Sequence, residues 1–145
     1  MEHRLSEITI ATNGAGLYEF TDQAAGFVAG AGAVKYGLLT CFCRHTSASL
    51  VIQENADGDV ARDLDEFFAR LVPHGMDWLR HTAEGDDDMP AHIKAALTGV
   101  NLSVPVRDSR LLLGTWQGLF LFEHRARGHR RRVVLHLAGC GGGSA

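Results

Sequence analysis

A chain of 145 residues, 46% hydrophobic and 21% charged, is long enough to fold as one domain around its own core without a disulfide framework or a structural metal. Its net charge of −3 argues against a dedicated nucleic-acid binder, whose footprint is basic. No run of about 18 apolar residues is present to span a bilayer.

In chain order, Ile8 and Ile10 alternate with Glu7 and Thr9, which predicts a strand over 5–12. Asn13-Gly14 predicts a turn into a partner strand over 17–20. Thr21 is placed to cap a helix over 22–31, a helix weakened by Gly26 and Gly30. The stretch 37–44 is apolar on both faces and reads as a central strand. In the next strand, over 48–54, Ala48, Leu50 and Ile52 alternate with Ser49 and Gln53. Asp57 then caps a helix whose Val60, Leu64, Phe67, Phe68 and Leu71 follow helical spacing up to Pro73. Residues 81–89 form an acidic loop, and Pro90 opens a short helix that Gly99 stops. Strands over 100–107, 111–124 and 132–138 complete the pattern, the second broken by Gly114 and Gly118 as bulges. Short connections between most strands predict an α+β fold with mainly antiparallel sheets, not a doubly wound one. One domain over 1–139 and a flexible glycine-rich tail over 140–145 are expected.

Eight histidines are the unusual feature of the composition. His81 and His92 bracket the carboxylates Glu84, Asp86, Asp87 and Asp88. His92 falls in the first turn of its helix, where the dipole disfavours imidazolium and favours the neutral, metal-binding form. Histidines with a carboxylate suit zinc or another divalent transition ion. The spacing from 81 to 92 matches no short zinc signature, and a solvated acidic loop is the alternative. His45-Thr46-Ser47, leaving a central strand, offers an imidazole, hydroxyls and N–H groups to an anion. Gly114 and Gly118 flank Thr115, Trp116 and Gln117; in an unbroken strand Thr115, Gln117 and Glu123 share one face. Glu54 and Asn55 precede the Asp57 cap and can line a site. Arg125, Arg127, Arg130, Arg131 and Arg132, with His124 and His129, form a basic run suited to phosphate, to a subunit contact or to a solvated hairpin end. Cys41, Cys43 and Cys140 are odd in number and lack CxxC spacing. With no hydrophobic leader in the first six residues, they point to a cytoplasmic protein.

Four ordered motifs carry a resemblance. His45-Thr46-Ser47-Ala48-Ser49-Leu50, Glu54-Asn55-Ala56-Asp57, Asp88-Met89-Pro90-Ala91-His92-Ile93-Lys94 and Leu113-Gly114-Thr115-Trp116-Gln117-Gly118 resemble the YjbQ family, also called UPF0047 or the secondary thiamine-phosphate synthase family. The likeness runs from about residue 4 to 139. It implies antiparallel sheets packed as a sandwich with two to three flanking helices, a homotrimer, and a histidine-rich pocket for metal or sulfate-like anions. The matching positions are His45, His81 and His92, with Glu54, Asn55, Thr115 and Gln117 nearby. Many members carry Glu-Phe-Asp-Gly-Pro-Arg near the end. This chain has Glu123-His124-Arg125-Ala126-Arg127-Gly128-His129-Arg130 instead, losing an acid and gaining two histidines.

The family's name implies joining a pyrimidine pyrophosphate to a thiazole phosphate, giving thiamine phosphate and pyrophosphate. That chemistry calls for a divalent ion, zinc first and magnesium or manganese next, and for cationic groups at the leaving pyrophosphate. The expected function is thus that of a metal-assisted enzyme acting on a phosphorylated small molecule. His45, His81 and His92 are the expected ligands, and Glu84, Asp86 or Asp88 the fourth ligand or general base. Glu54 and Asn55 join the catalytic set. Thr46, Ser47, Thr115, Gln117, Glu123, His124, Arg130 and Arg131 are expected at phosphate and substrate. The alternatives are a metal-dependent phosphoester hydrolase built from the same residues and a non-catalytic trimeric metal- or phosphate-binding protein. Neither nucleic acid nor membrane is an expected partner.

Overall fold

The elements are β1 (Glu2–Ala11), β2 (Gly16–Glu19), α1 (Thr21–Gly30), β3 (Val34–Cys43), β4 (Ala48–Glu54), α2 (Gly58–Leu71), α3 (Asp88–Thr98), β5 (Asn101–Arg107), β6 (Arg110–Leu111), β7 (Gln117–Glu123) and β8 (Arg130–Gly141). A computed structural model describes residues 1–141. The strands form a five-stranded sheet in the order β1-β8-β3-β5-β6 and a three-stranded sheet in the order β2-β7-β4. Every pairing is antiparallel.

Alternation sets which face is buried. Along β5, Leu102, Val104 and Val106 are buried while Asn101, Ser103 and Pro105 face out. Leu39 and Cys41 of β3, with Leu135 and Leu137 of β8, extend this layer and meet Ala48, Leu50, Leu119 and Leu121 of the smaller sheet in one core. Each fully buried aliphatic side chain there contributes about 1.5–3 kcal/mol. The α+β class and the antiparallel sheets predicted from the sequence are therefore present, with three helices.

Several local expectations change. The Asn13-Gly14 turn does not close a hairpin, because β2 pairs with β7 in the other sheet and β1 pairs with β8. The stretch 111–124 is two strands in two sheets: Leu111 pairs with Val106, while Gln117 opposite Glu54 begins the other sheet. A tight turn with Asp108 and Ser109 at φ 49° and 58° makes the β5–β6 hairpin. Thr21 does not cap α1; its hydroxyl donates to Glu19 and accepts from Leu119 N–H. Cys140 and Gly141 continue β8 rather than a free tail, and 142–145 lie outside the described residues.

Asp57 does cap α2, its carboxylate accepting from Asp59 N–H at 2.9 Å. Asp57→Ala is expected to cost about 1 kcal/mol in urea denaturation; an unchanged midpoint would show that the cap contributes nothing. The apolar stripe of α2 is not sealed, since Phe67 and Leu71 are 57% and 54% exposed. Phe68 alone makes an edge-to-face contact with Phe122 of β7, at 5.5 Å between centroids.

The chain changes sheet at one end of the molecule three times, over 12–15, 44–47 and 124–129. Backbone bonds lace these crossings together: Thr12 N–H to His129 O (2.8 Å), Arg44 N–H to Arg132 O (3.1 Å) and His124 N–H to Ser47 O (3.3 Å). The N-terminus of α3 comes to this same end, and so do His45, His81, His92, His124 and His129.

Candidate metal centre

Asp88 begins α3 and His92 follows one turn later, so both lie on one helix face. His81 arrives from the loop before it. Asp88 Oδ2 lies 2.7 Å from His81 Nε2 and 3.2 Å from His92 Nε2, and the two rings are tilted at 5.4 Å between centroids. One ligand atom from each residue falls within 4.8 Å of the others, the single such group of three among the described residues.

The backbone fixes one proton in this group. His92 Nδ1 is 2.8 Å from the Thr46 carbonyl, which can only accept, so Nδ1 carries the hydrogen. With Nδ1 so engaged, Nε2 is the atom that faces the Asp88 carboxylate, and without a cation between them the contact would set acceptor toward acceptor. A proton or a metal cation between them resolves the conflict. An Nδ1–H held by a backbone carbonyl is the usual support of a metal-bound imidazole. Two imidazoles and a carboxylate suit zinc or another divalent transition ion and leave a fourth position open. Tetrahedral zinc sets its ligand atoms roughly 3.3 Å apart. His81, whose side chain is 49% exposed, is free to make that small opening.

Arg125 holds the carboxylates from behind. Its Nη1 is 2.9 Å from Asp88 Oδ1, its Nε donates to Asp87 Oδ2 at 2.9 Å, and its Nη2 donates to the Glu84 carbonyl at 3.0 Å. Ala126 N–H adds a second donor to Asp87 Oδ2. Burial alone would raise the Asp87 carboxyl, but Arg125 and the Ala126 N–H hold it at about 2. Burial likewise opposes ionisation of Asp88, and His81, His92 and Arg125 together outweigh it and hold its carboxyl below the usual value.

Of the predicted ligands, His81 and His92 converge and His45 does not. His45 Nε2 accepts from Arg132 N–H at 2.7 Å, and desolvation followed by the charge of Arg131 lowers its pKa. It faces His92 across a groove of about 290 Å³ walled by Thr46, Ala95, Ala96 and Val100. Asp88, one of the three acids expected as fourth ligand or general base, is the carboxylate that joins the two histidines. In the acidic loop, Glu84 offers only its carbonyl to Arg125, and Asp86 lines a neighbouring cleft with His81 and Met76.

The residues expected at phosphate mostly serve the interior. Arg131 is buried and its donors go to Glu123 and to Ser47 Oγ at 3.0 Å. Glu123 also accepts from Thr12 at 2.7 Å and is fully buried. A close backbone approach seals this network, because a Cβ on Gly128 would stand 2.3 Å from Thr12 O. The His124 ring is buried, with Nε2 2.9 Å from Ser49 Oγ and Nδ1 without a partner among the described residues. Desolvation, then the nearby Lys94 charge, lower its pKa to about 3, so it stays neutral and cannot hold phosphate as a cation. Arg130 is exposed and free of these bonds.

Glu54, Asn55, Thr115 and Gln117 lie at the other end of the smaller sheet. Glu54 pairs with Gln117 where Ala48 pairs with Glu123, six residues away along β4, or roughly 20 Å. Asn55 donates to Glu19 Oε2 at 3.0 Å, and Gln117 accepts from Gly114 N–H. These four do not reach the histidines within one chain. Sequence reasoning missed Arg125 and Asp87 as supports; the only signal was an arginine in a basic run and an aspartate in an acidic one.

Comparison with known proteins agrees with this architecture. A family model described as UPF0047 protein YjbQ-like matches residues 6–140. A UPF0047 protein of Synechocystis is 54% identical over 132 residues, covering 91% of this chain and 89% of the relative. The UPF0047 protein YjbQ of Salmonella typhimurium is 42% identical over 132 residues, covering 91% and 95%. The crystal structure of a conserved hypothetical protein from Thermus thermophilus superposes with a TM-score of 0.78 at 35% identity, covering 89% of this chain and 97% of that one.

Proposed function

The chain belongs to the YjbQ-like UPF0047 family, and from that membership and the geometry of its histidines we propose that it is a metal-assisted enzyme acting on a phosphorylated small molecule. Thiamine phosphate synthesis from a pyrimidine pyrophosphate and a thiazole phosphate is the specific reaction put forward. The observation that carries the proposal is the convergence of His81 Nε2 and His92 Nε2 on Asp88 Oδ2, with His92 Nδ1 held by the Thr46 carbonyl. His81, Asp88 and His92 would hold a divalent ion, zinc first, which would supply Lewis-acid polarisation of a phosphoryl oxygen.

The chain's own groups supply the rest. Thr46 O orients His92. The groove between His92 and His45 receives the body of the substrate, with small walls at Ala95 and Ala96. Arg130, exposed beside these crossings, is the arginine available to phosphate, in place of Arg131. A homotrimer is proposed as the working form. The uncovered outer face of the larger sheet supports it, with Leu5, Leu38 and Phe42 at 72%, 44% and 48% exposure. Among the described residues no helix is long and apolar enough to cross a membrane; a cytoplasmic location is part of the same proposal.

The test is metal content and product analysis on tag-free protein beside Asp88→Asn. Wild type is expected to hold close to one zinc per chain and to form thiamine phosphate with release of pyrophosphate. Asp88→Asn, having lost the anionic ligand, is expected to bind zinc at least tenfold more weakly and to lose turnover. Phosphate release from a single ester, with no second organic substrate, would instead assign hydrolysis. A wild type that takes up no zinc, manganese or magnesium would overturn the metal reading.

A further inference from the structure

The guanidinium of Arg125 is used in an unusual way. Each of its three nitrogens goes to a different partner, and all three partners lie in the five residues that lead into α3: Glu84 O, Asp87 Oδ2 and Asp88 Oδ1. The side chain is only 18% exposed, so these are shielded contacts and not a flickering surface pair. Arg125 itself is fixed by position. It lies two residues beyond the end of β7, and its own N–H lies 3.3 Å from the buried Glu123 Oε2. The rigid end of a central strand therefore reaches across to shape an irregular loop.

The consequence falls on Asp88. With Oδ1 engaged by Arg125, only Oδ2 is presented to the two histidines. We propose that Arg125 is the positioning residue of the centre: it makes Asp88 a one-oxygen ligand and sets the loop so that His81 and His92 meet on that oxygen. This rests on the metal reading above and adds to it a coordination mode and the residue that imposes it. A lysine cannot replace Arg125, because one ammonium cannot satisfy three partners spread along a planar fork.

Cobalt(II) is the probe, since its visible absorption falls in intensity as coordination rises above four. Affinity is read by competition with a chelator, and folding by circular dichroism and thermal melting. Wild type is expected to bind one cobalt with an intense four-coordinate spectrum. Arg125→Lys and Arg125→Met are both expected to bind about 10–100-fold more weakly. Their spectra are expected to weaken per bound ion, because the freed Oδ1 lets Asp88 chelate. Should the Arg125 variants fail to fold, Asp87→Ala carries the test. It removes one anchor of the guanidinium and is expected to show the same loss in smaller degree.

Affinity and spectrum within about threefold of wild type in any folded Arg125 variant would overturn the proposal. Full rescue by lysine would overturn it as well, leaving charge alone as the role. A wild type that binds no cobalt or zinc would overturn the metal reading and this inference together, whereas wild-type binding with an indifferent Arg125→Met overturns this inference only.

Discussion

Replacing His81 and His92 together with alanine is expected to remove bound metal while leaving the protein folded. Two of three converging ligand atoms disappear in that variant. Zinc held by a full protein ligand set is worth about 10–16 kcal/mol, so each ligand contributes several, and affinity should fall by at least about a thousandfold. The fold has little stake in these rings. His81 is half-exposed and His92 28% exposed, and neither belongs to the core. Asp88 would lose both imidazole contacts but keep Arg125. The thermal midpoint of the metal-free variant is thus expected to lie close to that of metal-free wild type. The measurement is metal per chain after dialysis against zinc. Stoichiometric zinc in the double variant would place the ion elsewhere and sink the assignment.

A second large effect concerns acid. His124 is neutral in the folded protein, with its pKa at about 3, whereas an unfolded chain would titrate it near 6.5. Between those values the unfolded state binds the extra proton, so stability is complete above about pH 6.5 and declines as pH falls toward 3. The full difference corresponds to about 5 kcal/mol, reached only at the acid end. Asp87 acts in a different window. Its pKa is depressed to about 2, so its contribution is present above about pH 4 and lost as pH falls toward 2. The early part of the decline, from pH 6.5 to about 4.5, therefore comes from His124 together with His45, whose pKa is also lowered by burial and the Arg131 charge. Urea midpoints across that range should fall steeply in wild type and clearly less steeply in His124→Gln, which keeps the His45 share. Parallel curves for the two proteins would mean that the imidazole is not held neutral by its surroundings.

The sequence is most legible where periodicity and burial coincide. β4 and β5 alternate cleanly because each turns one face to a shared core, and Asp57 announces α2 because capping is a local act. It is least legible where the choice of partner is remote. Asn13-Gly14 is a sound hairpin signal, yet β1 finds β8 more than a hundred residues away. Leu111 and Leu119 belong to one apolar run but to different sheets, and nothing local says where the run divides. The site follows the same rule. His81, His92 and Asp88 lie within twelve residues and can be read together, whereas Arg125 reaches Asp87 over a separation of 38. Sequence reasoning gives Arg131 to phosphate because the planar fork of a guanidinium suits it, and only the fold shows that this arginine turns inward to Glu123.

The three sheet crossings give the centre a place in time. Thr46 lies on one crossing, Arg125 on another, and His92 on a helix between them in sequence. None of the local hairpins can assemble this set. Contacts that join distant segments form only after loop closure has been overcome, so the two sheets must already be docked when Thr46 and Arg125 reach the ligands. A nascent or partly folded chain would carry the three ligands without these two supports. Full metal affinity would then mark the end of folding, and at about a hundredfold excess over its dissociation constant the ion would add up to about 2.7 kcal/mol to the finished state.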